Sequence, residues 1–130
     1  MNDKLNYWIE EAEYDLKTAE LILETKRFLY IGFFCHLALE KMIKAEYVVK
    51  FPSEALPPKI FDLVKLAKMT SLYDQMPQEQ KDFIVTLELL NKEALYPTQK
   101  ADLFSSFTNE GSETVVHQTK ELFQWIKAQL

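Results

Sequence analysis

The chain has 130 residues, of which 48% are hydrophobic and 27% are charged, and its formal net charge is −5. These values fit a single folded domain over residues 1–130 and exclude an intrinsically disordered chain. The acidic balance also excludes a basic field over the whole surface. Nucleic acid, if it were bound, would therefore need a local basic patch.

The cysteine content and the distribution of apolar residues indicate the redox compartment of the protein and whether it contacts a membrane. Cys35 is the only cysteine, so no internal disulfide can form and a reducing cytoplasm is the expected location. Its position on an apolar helical stripe predicts a buried thiol that acts as a small hydrophobic side chain. The N-terminus lacks the pattern of a signal peptide, and no apolar run reaches the ~18 residues that span a bilayer. We therefore expect no membrane partner.

The first predicted helix covers about residues 3–25. Apolar residues recur there at alternating spacings of three and four: Leu5, Trp8, Ala12, Leu16, Ala19 and Leu23. Asn2 or Asp3 can cap its start. Glu13 and Lys17, four residues apart, are expected to form an ion pair on its surface. A short break over 25–28 predicts that this helix and the next pack as an antiparallel hairpin.

The second predicted helix runs from about residue 30 to 50. Its apolar stripe consists of Ile31, Cys35, Ala38, Met42, Ala45 and Val49. Several of these side chains are small, which would allow another helix to approach closely. Glu40 and Lys44 on a neighbouring face are spaced as a helical ion pair, with the acid on the favoured N-terminal side.

The remainder of the chain is also predicted to be helical. Three prolines predict a loop over 52–58, followed by short and longer helices over 60–69 and 77–90, a loop over 98–108, and a last helix from about 109–112. The last helix should bury Val115, Val116, Thr119, Leu122, Phe123 and Ile126. No useful strand alternation occurs. The sequence therefore predicts an all-α, up-down bundle of four to five helices built on a long antiparallel helix pair.

The residues that commonly carry chemistry are sparse. His36 and His117 are the only histidines, and neither has a partner at a recognised metal-ligand spacing. No Gly-rich phosphate loop occurs, and no Glu-x-x-His motif of a di-metal bundle occurs. We therefore expect no metal and no cofactor. The lysine clusters, Lys41 with Lys44 and Lys92 with Lys100, are read as solvated faces in preference to anion sites.

The order of several short motifs resembles the HEPN family of small helical domains. These motifs are Trp8 with Ala12-Glu13-Tyr14-Asp15-Leu16, then Phe34 with Ala38-Leu39-Glu40-Lys41 and Lys44-Ala45, then Asp62-Leu63 with Leu66, then Ala94-Leu95-Tyr96-Pro97, and finally Trp125-Ile126. Each is weak alone, but together they cover nearly the whole chain. The resemblance implies a helical bundle whose long first pair forms the core.

The same resemblance implies a set of functions. Such domains commonly form homodimers, and many act with a minimal nucleotidyltransferase as a toxin–antitoxin pair. Catalytic members are metal-independent ribonucleases that use an Arg followed closely by a His. This chain departs from the family where Phe61 replaces a His and Leu95 replaces an Arg. The polar residues that remain, Lys41, Lys44, Asp62 and Tyr96, are the candidates for binding a nucleotide or phosphate.

Three functional hypotheses follow. The first is a non-catalytic, homodimeric HEPN module that works through a protein partner and binds a nucleotide or RNA as a further candidate activity. The second is a HEPN ribonuclease toxin, and the third is a purely structural helical interaction protein. The homodimer is also favoured by aromatic residues that crowd the first two helices: Tyr7, Trp8, Tyr14, Phe28, Tyr30, Phe33 and Phe34. The only arginine is Arg27, nine positions before His36, and this spacing disfavours the ribonuclease.

Overall fold

A computed structural model describes residues 3–96 and 107–130, and in these residues the fold is all-α. The helices are α1 (Asp3–Thr25), α2 (Ile31–Lys50), α3 (Leu63–Met69), α4 (Leu72–Gln75), α5 (Gln78–Leu95) and α6 (Asn109–Lys127), with a 3₁₀ turn at Phe28–Tyr30 before α2. The predicted fold class is confirmed. None of these helices is long and apolar enough to cross a lipid bilayer.

Helices α1 and α2 form the predicted antiparallel pair. The chain reverses at Lys26, whose φ of 61° lies in the left-handed region. Asp15 of α1 contacts Lys41 of α2, and Trp8, earlier on α1, contacts Lys44, later on α2. On α1 the small residues Ala12 and Ala19 are fully buried, which allows the close approach that the sequence predicts.

Helix α2 is the centre of the fold, because α1, α3, α5 and α6 all pack against it. Most of its predicted stripe is buried, but Val49 is exposed and Val48 is buried in its place. Cys35 of α2 contacts Thr119 of α6. The two helices run in the same direction because both are antiparallel to α1, as the contacts of Lys120 with Glu20 and of Lys127 with Glu13 show for α6. Helix α6 ends at Lys127, so it does not reach far enough to cover Val49.

The helices between α2 and α6 differ from the prediction at their ends. Helix α3 starts at Leu63, three residues later than predicted, because Asp62 caps it by accepting a hydrogen bond from the Lys65 N–H at 3.1 Å. Residues 70–76, between the two helices predicted over 60–69 and 77–90, contain the single-turn helix α4. Pro77 caps α5 with its carbonyl instead of forming its first residue, and α5 continues five residues past the predicted end.

Helix α6 begins where the sequence predicts. Thr108 caps it by accepting a hydrogen bond from the Gly111 N–H at 3.0 Å. All six residues of its predicted apolar face are buried, and they are Val115, Val116, Thr119, Leu122, Phe123 and Ile126. Most of the predicted loop 98–108 lies outside the described residues.

Candidate functional site

A chain of buried polar side chains joins α2, α5 and the start of α3. Lys44 Nζ donates to Glu40 Oε2 at 3.1 Å, and Glu40 Oε1 lies 3.7 Å from His36 Nδ1. His36 Nε2 lies 3.2 Å from Glu88 Oε1, and this same oxygen accepts a hydrogen bond from the Leu63 N–H. His36 is only 1% exposed. The hydrogen bonds of Glu88 to His36 and to Leu63 therefore tie three helices together.

Lys44 sits at the outer end of this chain, beneath two aromatic rings. Its Nζ lies 5.9 Å from the ring centre of Trp8 and 5.5 Å from that of Phe61. Cations are attracted to aromatic faces at these distances. The sequence predicted the Glu40–Lys44 pair correctly, but it placed Lys44 on a solvated face. Lys44 is in fact buried, because the rings of Trp8 and Phe61 lie over it.

Lys41, the second candidate lysine, is held by α1. Its Nζ lies 2.7 Å from Asp15 Oδ2 and 3.5 Å from Glu11 Oε1. Burial lowers the pKa of Lys41, but the hydrogen bond and the charge of Asp15, with a smaller effect of Glu11, outweigh burial and raise it overall. The positive charge of Lys41 is therefore already compensated within the chain, which leaves less of it for a phosphate.

The other two candidate residues lie in different places. Asp62 caps α3 immediately after Phe61, so it is near Lys44. Tyr96 follows the last residue of α5 and is exposed. Gly32 meets Leu90 and His36 meets Glu88, so the C-terminal end of α5 points toward the start of α2. Tyr96 is thus directed away from Lys44, which lies about 18 Å further along α2 than Gly32 at 1.5 Å per residue.

The structure therefore brings Lys41, Lys44 and Asp62 into one region and places Tyr96 elsewhere. Sequence reasoning missed two members of the buried chain, His36 and Glu88. His36 could have been found, because His36, Glu40 and Lys44 follow one another at a spacing of four on one helical face. Glu88 could not, because its contact with His36 joins residues 52 positions apart.

The groups that a HEPN ribonuclease would use are not assembled in the described residues. Arg27 is exposed at the turn between α1 and α2, whereas His36 is enclosed by Glu40 and Glu88. His117, on α6, is exposed and paired with Glu121. Within residues 3–96 and 107–130, no group of three or more His, Cys, Asp or Glu side chains could hold a metal ion.

Cys35, the only cysteine of the chain, lies in the core. It is fully buried, as predicted, and burial raises its pKa to about 12, although a side-chain hydrogen bond with Thr119 lowers it by a smaller amount. Thiolate is the reactive form of cysteine. The thiol is therefore protonated and inaccessible at neutral pH, and its role is that of a packed apolar side chain.

Comparisons with known proteins agree with this architecture. The crystal structure of TT1696 from Thermus thermophilus superimposes with a TM-score of 0.78 at 14% sequence identity, covering 99% of this chain and 100% of that one. This likeness shows the fold. None of the curated proteins compared with the chain matches it. The sequence model of the HEPN domain matches residues 5–129. The chain therefore belongs to the HEPN family.

Proposed function

We propose that the chain is a non-catalytic HEPN module that forms a homodimer and acts through a protein partner. The observation that carries this proposal is the exposure of large aromatic side chains on the first helix hairpin. Of the seven aromatic residues from which the sequence predicted a dimer, Tyr7, Tyr14 and Tyr30 are exposed. Exposed apolar surface that is grouped on one part of a protein is typical of an interface.

The positions of Arg27 and the histidines support the non-catalytic part of the proposal. RNA cleavage without a metal needs a group that moves protons and a cation that stabilises charge on the phosphate. His36 is enclosed within its own chain, so neither RNA nor Arg27 of a second copy can reach its ring nitrogens. His117 is accessible, but its imidazole is already held by Glu121.

The partner class comes from the family resemblance, which implies a minimal nucleotidyltransferase in a toxin–antitoxin pair, and a cytoplasmic location goes with it. Light scattering at tens of micromolar tests the homodimer, and co-purification from the native source tests the partner. Incubation of the purified protein with RNA tests the ribonuclease alternative. We expect a dimer, a captured nucleotidyltransferase and intact RNA. A strictly monomeric mass would contradict the dimer, and cleavage abolished by both Arg27→Ala and His36→Ala would contradict the non-catalytic proposal.

Nucleotide or phosphate binding is a second candidate activity, assigned to Lys41, Lys44, Asp62 and Tyr96. The observation in its favour is the Phe61 ring, which is exposed above Lys44 and offers a face on which a base could stack. Titration with ATP and with AMP against Lys44→Ala and Tyr96→Ala tests it. Loss of binding in Lys44→Ala alone would place the site at α2 and α3, and unchanged binding in the double variant would exclude these residues.

A further inference from the structure

We propose that the outer face of α1 pairs antiparallel with the same face of a second copy of the chain, about a two-fold axis near Tyr14. This inference rests on the proposed homodimer and adds to it the interface, its direction and its register. It commits to one occupant of the face, a second copy of this chain. The argument uses the spacing of exposed apolar residues on α1, the charges beside them and the groove at one end of the helix.

Three exposed apolar residues form a line along α1. Tyr7, Tyr14 and Leu21 are spaced seven residues apart and are 57%, 74% and 49% exposed. Seven residues are close to two helical turns, so these side chains share one face and drift by only about 20° per step. The buried residues Ala12 and Ala19 lie on the opposite face. The line is therefore separate from the core and covers about four turns of helix.

Charged residues beside this line make the face complementary to itself. Glu10 and Lys17 lie on the same flank of the line and are exposed, and no ion pair within the described residues involves either. The predicted Glu13–Lys17 pair does not form, because Glu13 instead accepts a hydrogen bond from Lys127 Nζ at 3.1 Å. Glu10 and Lys17 are thus available to a partner.

An antiparallel pair with a two-fold axis at Tyr14 matches these charges. Residues that lie equally far before and after Tyr14 then face one another, so Tyr7 faces Leu21 of the second copy. The flank of α1 that carries Glu10 and Lys17 also meets the same flank of the second copy. Glu10, four residues before Tyr14, lies opposite Lys17 of the second copy, three residues after it. The symmetry repeats this contact, and two ion pairs flank the apolar line, as in an isologous interface.

A parallel pair of α1 helices does not match the charges of Glu10 and Lys17. Equivalent residues would then lie at the same level, and opposite flanks of the line would meet. Glu10 would face Glu11 of the second copy, and like charges at such a contact are destabilising. The charges therefore select the antiparallel direction.

The groove at the N-terminal end of α1 extends the contact area. It is mainly apolar and is lined by Asp3, Lys4, Tyr7, Trp8, Ala55 and Leu56. The antiparallel register brings Leu21 of the second copy to the edge of this groove, and it brings the turn with Lys26 and Arg27 toward Asp3. A stable interface buries about 800 Å² of surface on each partner. One line of three side chains does not supply this area, so the groove is needed as part of the interface.

Chemical cross-linking tests the register. Because Cys35 is buried, the introduced cysteines are the only accessible thiols in each variant. With a short bismaleimide, Tyr14→Cys should yield covalent dimer efficiently, and Tyr7→Cys/Leu21→Cys should cross-link more than either single variant. Val85→Cys, at an apolar position on α5 that is 50% exposed, close to the value for Leu21, is the matched control and should stay uncross-linked.

A charge exchange tests the ion pairs without adding a cysteine. Glu10→Lys and Lys17→Glu should each weaken dimerisation by about three- to tenfold, because each places two pairs of like charges across the interface. The double variant Glu10→Lys/Lys17→Glu should restore the wild-type dissociation constant. A general loss of helix stability would not be reversed in this way, and circular dichroism of each variant monitors it.

The outcomes separate the interface from the dimer itself. Efficient cross-linking at position 14 together with rescue by the charge exchange supports the inference. A wild-type dimer that neither cross-links through Tyr14→Cys nor responds to the single charge variants would overturn the α1 interface and leave the proposed homodimer standing. A monomeric wild-type protein would overturn both.

Discussion

Gly32 of α2 and Leu90 of α5 lie so close that a Cβ atom added to Gly32 would be 2.6 Å from Leu90 Cβ. Real Cβ atoms do not approach one another this closely, so the helix backbones would have to move apart. The close approach lies one turn from His36, which contacts Glu88 on the same pair of helices. Gly32 therefore helps to set the distance at which the buried polar chain forms.

The first prediction is that Gly32→Ala lowers the free energy of unfolding. Alanine favours the helix by up to about 1 kcal/mol relative to glycine, but overpacking costs about 1–3 kcal/mol, so a net loss is expected. Urea unfolding followed by circular dichroism measures it. Val85→Ala at an exposed position of α5 is the control, with an expected change within about 0.5 kcal/mol. A higher free energy of unfolding for Gly32→Ala would show that the Leu90 side chain can move aside without destabilising the fold.

The second prediction concerns the small-residue stripe of α2. Ala38 is fully buried on the small-residue stripe of α2, so Ala38→Trp should lower the free energy of unfolding by about 3 kcal/mol or unfold the domain. Ala94→Trp, at a half-buried position near the end of α5, is the matched control and should be milder. Thermal unfolding compares the two variants. Equal melting temperatures of wild type and Ala38→Trp would show that this stripe is not closely packed.

The third prediction concerns Glu88, whose Oε1 contacts both His36 and the Leu63 N–H. Glu88→Ala removes the acceptor from two buried donors and should lower the free energy of unfolding by about 2–4 kcal/mol. Glu88→Gln retains a carbonyl oxygen and should cost less. Hydrogen exchange of the Leu63 amide measures the local effect, and Glu79→Ala at an exposed position of α5 is the control. Unchanged protection of Leu63 in Glu88→Ala would contradict this role.

The sequence predicted the helices well because their apolar residues repeat with the helical period. The face of α6 and the bounds of α1 agree with the structure, and these depend on local spacing and capping. The wrong predictions concern residues whose surroundings depend on contacts with distant parts of the chain. Val49 has the right spacing to be buried, but among the described residues it remains exposed. Lys17 has the right spacing to pair with Glu13, but Glu13 instead accepts a hydrogen bond from Lys127, 114 residues away.

The candidate site was predictable only in part, for the same reason. The Glu40–Lys44 pair follows from a spacing of four, and the nearness of Asp62 to Lys44 agrees with the family motifs. The burial of Lys44 depends on Trp8 and Phe61, which lie on other segments of the chain. The link from His36 to Glu88 requires α5 to pack beside α2, and helical periodicity does not specify which helices become neighbours.

The fourth prediction concerns Glu46, a carboxyl group buried on α2. It is 4% exposed, and its Oε2 has no hydrogen-bond partner among the described residues. Burial raises the pKa of Glu46, and Lys50, one turn later, lowers it by a smaller amount. The folded state therefore holds this proton more tightly than the unfolded state, where the pKa is near 4.5. At neutral pH, where the unfolded state is ionised, this difference in proton affinity lowers the stability of the folded state.

The expected pH dependence has a definite sign. Below the unfolded pKa, Glu46 is protonated in both states and its burial costs little. As pH rises through the interval between the unfolded and folded pKa values, the unfolded state loses its proton first, so the stability of the folded state falls. Glu46→Gln removes the charge and should raise the free energy of unfolding at pH 7 by on the order of 1 kcal/mol.

Urea unfolding at pH 7 and at pH 4 tests this prediction. The advantage of Glu46→Gln over wild type should be present at pH 7 and should shrink toward zero at pH 4, where the wild-type carboxyl group is largely protonated. Glu79→Gln, at an exposed position of α5, is the matched control and should show no such difference. A Glu46→Gln variant that is less stable than wild type at pH 7 would mean that the carboxylate makes a favourable contact that outweighs its burial.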